Sequence, residues 1–211
     1  MDEKIKILHI VSVSFNYFDD IRQKVFLLSE AEKKFGVDSH IITLQYNTST
    51  KRIVEKNIQE TPDISFCGHH EVSGILEILD EFTLINIHGP FLGVGRILRK
   101  IKENKKIIFT WHRGVRLSDM FSYFVWLYNE YFLAKFCQIA KAIAFFDEQD
   151  FYRQFGKKYF NDNYRLADIV KDGEEIIKEN SHLTLSQDGV KLKVIDGQAL
   201  AFIQLYKFLN N

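Results

Sequence analysis

Through its first three quarters the chain repeats one rhythm, a short apolar run followed by a longer stretch with apolar residues at helical spacing. "KIKILHIVSV" (4–13), rich in Ile and Val, reads as a buried strand. "DDIRQKVFLLSEAEKKFG" (19–36) reads as a helix, with Ile21, Val25, Leu28 and Glu32 along its rows. Asp19 or Asp20 can cap its start, and Gly36 stands where a helix stop is expected. "VDSHIITLQ" (37–45) is the second strand.

The rhythm continues with strands at "PDISFCG" (62–68) and "FTLINIHG" (82–89) and a helix, "EVSGILEILDE" (71–81), between them. A helix "GVGRILRKIKEN" (93–104), a strand "KKIIFTWH" (105–112) and a long aromatic helix "SDMFSYFVWLYNEYFLAKF" (118–136) follow. That helix is aromatic on nearly every face and is expected to pack against the sheet. "KAIAFF" (141–146) is a short strand before the helical "DEQDFYRQFG" (147–156). Strands alternating with helices of this length imply right-handed crossovers. The expected class is α/β, a Rossmann-like, mainly parallel sheet with helices on both faces.

After Gly156 the pattern changes. "LADIVKDGEEIIKEN" (166–180) reads as a helix, "HLTLSQDGVKLKVIDG" (182–197) as a hairpin turning at Asp188-Gly189, and "QALAFIQLYKFL" (198–209) as an amphipathic helix. The expected organisation is therefore a sheet domain over 1–156 and a helical and hairpin appendage over 157–211.

Composition narrows the function classes. The 211 residues carry 28 basic and 28 acidic side chains, so no overall positive field favours nucleic acid as a partner. The two cysteines, Cys67 and Cys137, sit in apolar runs and read as small buried hydrophobes. The N-terminal run follows acidic residues and lacks a small-residue cleavage site, and no apolar stretch reaches the ~20 residues of a membrane span. A cytoplasmic protein is expected. The basic run Arg96, Arg99, Lys100, Lys102, Lys105 and Lys106, joined by Arg113 and Arg116, reads as a solvated helix face. Its alternative is contact with an anionic acceptor or a membrane surface, which would place the protein at the membrane periphery.

Candidate chemistry gathers at strand ends. Ligands of open parallel sheets bind beyond the carboxyl ends of the strands. His88 ends one apolar strand and His112 another, each soon followed by glycine, and the segment "SVSFNYFDD" (12–20) follows the first strand. An imidazole there can exchange a proton or hydrogen-bond a hydroxyl or phosphate. The alternative is a histidine that satisfies loop backbone groups. His69-His70 reads as a solvated turn, and with Cys67 it lacks the second half of a zinc site, so no metal is expected. Gly93 and Gly95 are followed by Leu98 where a dinucleotide fingerprint needs its third glycine, which removes that reading.

Taken together, "KILHIVS", "RQKVFLLSEAEKKFGVDSHIITL", "INIHGP", "IIFTWHRG" and "FLAKFCQIAKAIAFFDEQDFYRQFG" resemble, in order and spacing, the N-terminal half of a GT-B-fold glycosyltransferase. The group resembled is the large retaining, family-4-like one, and the resemblance runs from about residue 5 to residue 156. By that resemblance His112 matches the histidine beside the reacting sugar, and His88 matches a residue lining the same cleft. Ser14, Phe15 and Asn16, with Gly89 and Arg113, fall at positions expected to bind substrate. The chain departs from the family where "SFNYFDD" replaces the paired glycines of the acceptor loop and where Lys141 replaces the usual aspartate.

The roughly 55 residues after Gly156 are too few for the family's second, donor-binding domain. The resemblance thus implies the acceptor-binding half of a sugar-nucleotide-dependent enzyme. Its catalytic residues would be His112 and His88, orienting the acceptor and stabilising charge near the leaving phosphate. A sugar nucleotide would be its donor substrate, brought by a donor-domain chain or a second copy, with no cofactor held by this chain alone. The alternative expectation is a noncatalytic binding or regulatory module built on the same sheet.

Overall fold

Alternating side chains and Ile/Val-rich runs give the core strands of a computed structural model that describes residues 5–12, 19–44, 50–54, 57–61, 79, 81–89, 105–114, 133–155, 165–179 and 187–210. The strands are β1 (Lys6–Ser12), β2 (Asp38–Leu44), β3 (Thr50–Val54), β4 (Asn57–Thr61), β5 (Leu84–Gly89), β6 (Lys106–Trp111), β7 (Ala142–Phe145) and β8 (Arg165–Asp168). The helices are α1 (Asp19–Lys34), α2 (Ala134–Ile139), α3 (Glu148–Phe155), α4 (Ile169–Glu179) and α5 (Gln187–Asn210). The expected strand 62–68, the helix 93–104 and most of the helices 71–81 and 118–136 lie outside the described residues. So do Ser14, Phe15, Asn16, Cys67, His69, His70, Arg96, Arg99, Lys100, Lys102 and Arg116.

Six strands form one sheet in the order β2-β1-β5-β6-β7-β8, every pairing parallel. The fold is α/β and Rossmann-like. β3 and β4 form a separate antiparallel pair. Because β1 is flanked by β2 on one side and β5 on the other, the strand order reverses between β1 and β5. Such a switch point opens a crevice at the carboxyl ends of its two strands.

One face of the sheet carries Ile7, Leu84, Ile108, Ala142, Ala144 and Ala167, which pack with Leu28 and Ala31 of α1 and Phe202, Leu205 and Tyr206 of α5. Small alanines on β7 and β8 leave room for the aromatic rings of α5. α1 stops at Gly36, whose φ of 87° lies in the left-handed region. There Gly36 N–H donates to Lys33 O and Val37 N–H to Glu32 O, the paired bonds that close a helix end before the chain turns into β2. Asp147 and Asp168 cap the other ends, accepting from Asp150 N–H and Lys171 N–H at the starts of α3 and α4.

Three local expectations are corrected. Leu166–Asp168, read as helix, belongs to β8, which pairs Ala142–Phe145 in register and adds the sheet's last strand. The hairpin expected at Asp188-Gly189 is instead the first turn of α5. An aspartate is favourable at a helix N-terminus, and glycine at the first turn costs little, so this dipeptide also suits a helix start. Further along, α5 crosses α4 closely where Gly197 meets Gly173 backbone to backbone; a Cβ on Gly197 would lie 2.7 Å from Gly173 O. The segment 157–211 thereby contributes β8 to the sheet and α5 to its core. Finally, Lys105 is not on a solvated helix face. It is buried, and its Nζ donates to Phe82 O at 2.6 Å.

Candidate functional site

The register of three neighbouring strands places three histidines on a diagonal. His9 on β1 pairs with Asn86 on β5, and His88 stands two residues beyond Asn86. His88 in turn pairs with Thr110 on β6, and His112 stands two residues beyond Thr110. Steps of two along a strand keep side chains on one face, so all three rings share a face and climb toward the carboxyl edge. His9 Nδ1 lies 2.8 Å from His88 Nε2, and His88 Nδ1 lies 2.8 Å from His112 Nε2.

The chain is anchored at its inner end by α1 and α5. Glu32 Oε2 accepts from His9 Nε2–H at 2.8 Å and from Ser39 Oγ at 2.7 Å, and Ser39 Oγ lies 2.8 Å from Ser29 Oγ. Tyr206 Oη donates to Glu32 Oε1 at 2.7 Å. Beside this line Thr110 Oγ1 donates to Asn86 Oδ1 at 2.6 Å. Glu32, His9 and His88 have no exposed surface.

At the outer end, His112 is only 7% exposed, and its Nδ1 is a buried atom with no hydrogen-bond partner among the described residues. Its ring stacks on Phe146 at 4.7 Å between centroids, and Lys24 Nζ lies 5.9 Å from the centre of the same Phe146 ring. Arg113 donates from Nε and Nη2 to the two carboxylate oxygens of Asp20, each at 3.2 Å, joining the β6 exit to the start of α1. Asp150 at the start of α3 braces this exit by accepting from Trp111 Nε1–H at 3.3 Å and Gly114 N–H at 2.8 Å.

The electrostatics follow from burial. Desolvation, aided by His112 and His9, holds His88 well below the ordinary imidazole value. Desolvation first, then Lys24 and Arg113 against an opposing Asp20, lowers His112 to about 3. Desolvation and then Glu32 push the Tyr206 phenol well above its ordinary value. Burial resists charge on Asp20, but the Arg113 hydrogen bond and charge prevail and hold it below the usual carboxylate value. At neutral pH His88 and His112 are therefore neutral, each ring carrying one proton.

The residues singled out in the sequence are thus placed unequally. His88 and His112 are brought together on adjacent strands. Both ring nitrogens of His88 are occupied by histidines, so it reaches a ligand only through His112. Gly89 lies on the opposite face, where an added Cβ would meet the Phe109 ring at 2.6 Å, and its carbonyl accepts from His112 N–H at 3.2 Å. Arg113 stands beside His112 with Asp20. Cys137 is a buried free thiol, pushed up to about 12 by desolvation and so poorly nucleophilic.

The sequence pattern does not mark His9, Ser39 or Tyr206 as site residues, and it gives Glu32 only a place on a helical row. Each carried a signal, a polar group at a position whose period matches the buried face. Among the described residues no group of three or more His, Cys, Asp or Glu side chains is arranged to hold a metal ion, and no helix is long and apolar enough to cross a membrane. Compared with known proteins, the sequence matches no family model and no curated protein.

Proposed function

We propose that the carboxyl edge of the sheet around His112 binds a hydroxyl-bearing acceptor, and that the chain is the acceptor-binding half of a sugar-nucleotide-dependent glycosyltransferase. The observation that carries this reading is the partnerless, buried Nδ1 of His112 at the exit of β6, beside the switch point of the sheet. Glycosyl transfer needs an acceptor hydroxyl held in line with the sugar carbon it attacks. A neutral imidazole lone pair accepts the O–H of that hydroxyl, in the position the family resemblance assigns to the histidine beside the reacting sugar. Lys24 and Arg113, near enough to depress His112, supply positive charge for a phosphate brought alongside. The donor sugar nucleotide is held by a partner chain or domain.

His112 is the catalytic residue in this reading, and His88 positions it. The test is ¹⁵N-histidine NMR of the 211-residue chain titrated with simple sugars, sugar phosphates and polyols. A saturable shift of His112 Nδ1 by at least one of them is expected, with calorimetric binding of the same ligand lost in His112→Ala. A panel that leaves His112 unmoved at millimolar ligand overturns the reading. Saturable binding with no transfer when a donor-bearing partner is supplied would mark a noncatalytic binding module instead.

A further inference from the structure

Hydrogen bonds in a line of neutral imidazoles have a direction, because each ring has one N–H to give and one lone pair to accept with. Glu32 accepts from three donors and has the inner end of the line. With Nε2–H as its single N–H, given to Glu32, His9 is left to accept at Nδ1. His88 Nε2–H is the group placed to supply it, at 2.8 Å. His88 Nδ1 must then accept from His112 Nε2–H, also at 2.8 Å. The proton of His112 is thereby committed to Nε2, and Nδ1, the atom without a partner, is left with a lone pair alone.

We infer that the three rings carry one proton each and that Glu32, acting through His9 and His88, locks His112 in its Nε2–H tautomer and makes its outer nitrogen an obligate acceptor, so that the group bound there is a hydrogen-bond donor, a hydroxyl or an amine. This deepens the reading of His112 as the group that meets the acceptor. Glu32 and His9 are positioning residues, sealed from solvent and reaching the ligand only through two further rings. An anion with no proton, such as sulfate, finds no donor on this nitrogen. Tyr206 and Ser39 hold the carboxylate so that its oxygens cannot turn away from His9.

The lock is read without any ligand. Two-bond ¹⁵N–¹H correlation spectra of the full chain at pH 7 are expected to show His9, His88 and His112 all as Nε2–H tautomers. A dominant Nδ1–H tautomer at any of the three, or a doubly protonated His9, overturns the inference whether or not any sugar binds. In Glu32→Gln the amide can present N–H to His9, which frees the line to reverse. His112, two rings away, is then expected to lose its pure Nε2–H signature. An unchanged His112 spectrum in folded Glu32→Gln overturns the lock. Should that variant not fold, His88→Phe, which cuts the line between the rings, is expected to cost His112 its pure Nε2–H form, and a pure Nε2–H tautomer there overturns it. Ligand titration then separates the two readings. An uncharged molecule with no O–H or N–H, such as dioxane, should leave His112 Nδ1 unmoved at concentrations where a binding sugar shifts it, and a dioxane shift of equal size overturns the donor requirement while leaving the site itself standing.

Discussion

His88 and His112 are 24 residues apart in the chain, and their facing ring nitrogens are 2.8 Å apart. The contact exists because β5 and β6 are parallel neighbours in a register that sets His112 one same-face step beyond the partner of His88. It makes His88 the middle of a polar line with a bond on each side.

Removing that middle should be costly. His88→Ala leaves His9 Nδ1 and His112 Nε2 without partners in a buried setting, and each orphan costs about 1–3 kcal/mol. The expected loss is about 2–6 kcal/mol in urea or guanidinium unfolding, with the slope unchanged. A loss below about 1 kcal/mol would mean the line contributes nothing to the fold.

Acid should find the same weakness. The folded pKa of His112 is lowered to about 3 from 6.5. Between those values the unfolded chain binds the proton and the folded chain does not, so stability falls as pH falls from 6.5 toward 3. From pH 7 to pH 5 His112 alone accounts for about 2 kcal/mol of that loss. His88, also lowered, steepens the slope in the same direction. His112→Asn keeps a donor for His88 and has no titrating ring, so its stability is expected to fall by about 2 kcal/mol less over this range. Equal slopes for the two proteins would contradict the buried neutral imidazole.

The parts of the fold that were legible in the sequence are those whose signals are local. Ile7, Ile10 and Val11 announce β1, Gly36 announces the end of α1, and the strand-to-histidine order places His88 and His112 near one edge. Glu32 stood on a row with Ile21, Val25 and Leu28, an acid where an apolar residue belongs. His9 stood between Ile7 and Val11 on the same period of two. Neither oddity identifies its partner alone, because the pairing of β1 with β5 and the burial of α1 are tertiary facts. Tyr206 was less legible still, since nothing local tells that α5 returns to the face of β1 and β5. Asp188-Gly189 misled because the same dipeptide serves a hairpin turn and a helix start.

That return of α5 gives a further prediction. Tyr206 is fully buried and its hydroxyl donates to Glu32 at 2.7 Å. Tyr206→Phe keeps the ring in the core and removes only the donor, so the loss should be that of one buried hydrogen bond to a carboxylate, about 1.5–3 kcal/mol. Tyr206→Phe combined with Glu32→Gln should cost less than the sum of the two single changes, because the variants share one bond. Strict additivity in that double-mutant cycle would show that the two side chains do not interact.

The ion pair at the rim offers the last test, one of sign rather than size. Asp20 raises the His112 pKa, whereas Lys24 and Arg113 lower it. Lys24→Met is therefore expected to move the His112 titration upward from about 3. Asp20→Asn is expected to move it downward, since it removes a carboxylate that raises the His112 value and leaves the Arg113 guanidinium less neutralised. The Asp20 and Arg113 side chains are 52% and 33% exposed, so the pair adds little to stability. Asp20→Asn should change the unfolding free energy by no more than about 1 kcal/mol at pH 7. NMR titration of the labelled histidine reads both shifts in the folded protein. Movements in the same direction would mean that the rim charges do not act on His112 as their positions require, and no movement in either variant would mean that burial alone sets its neutrality.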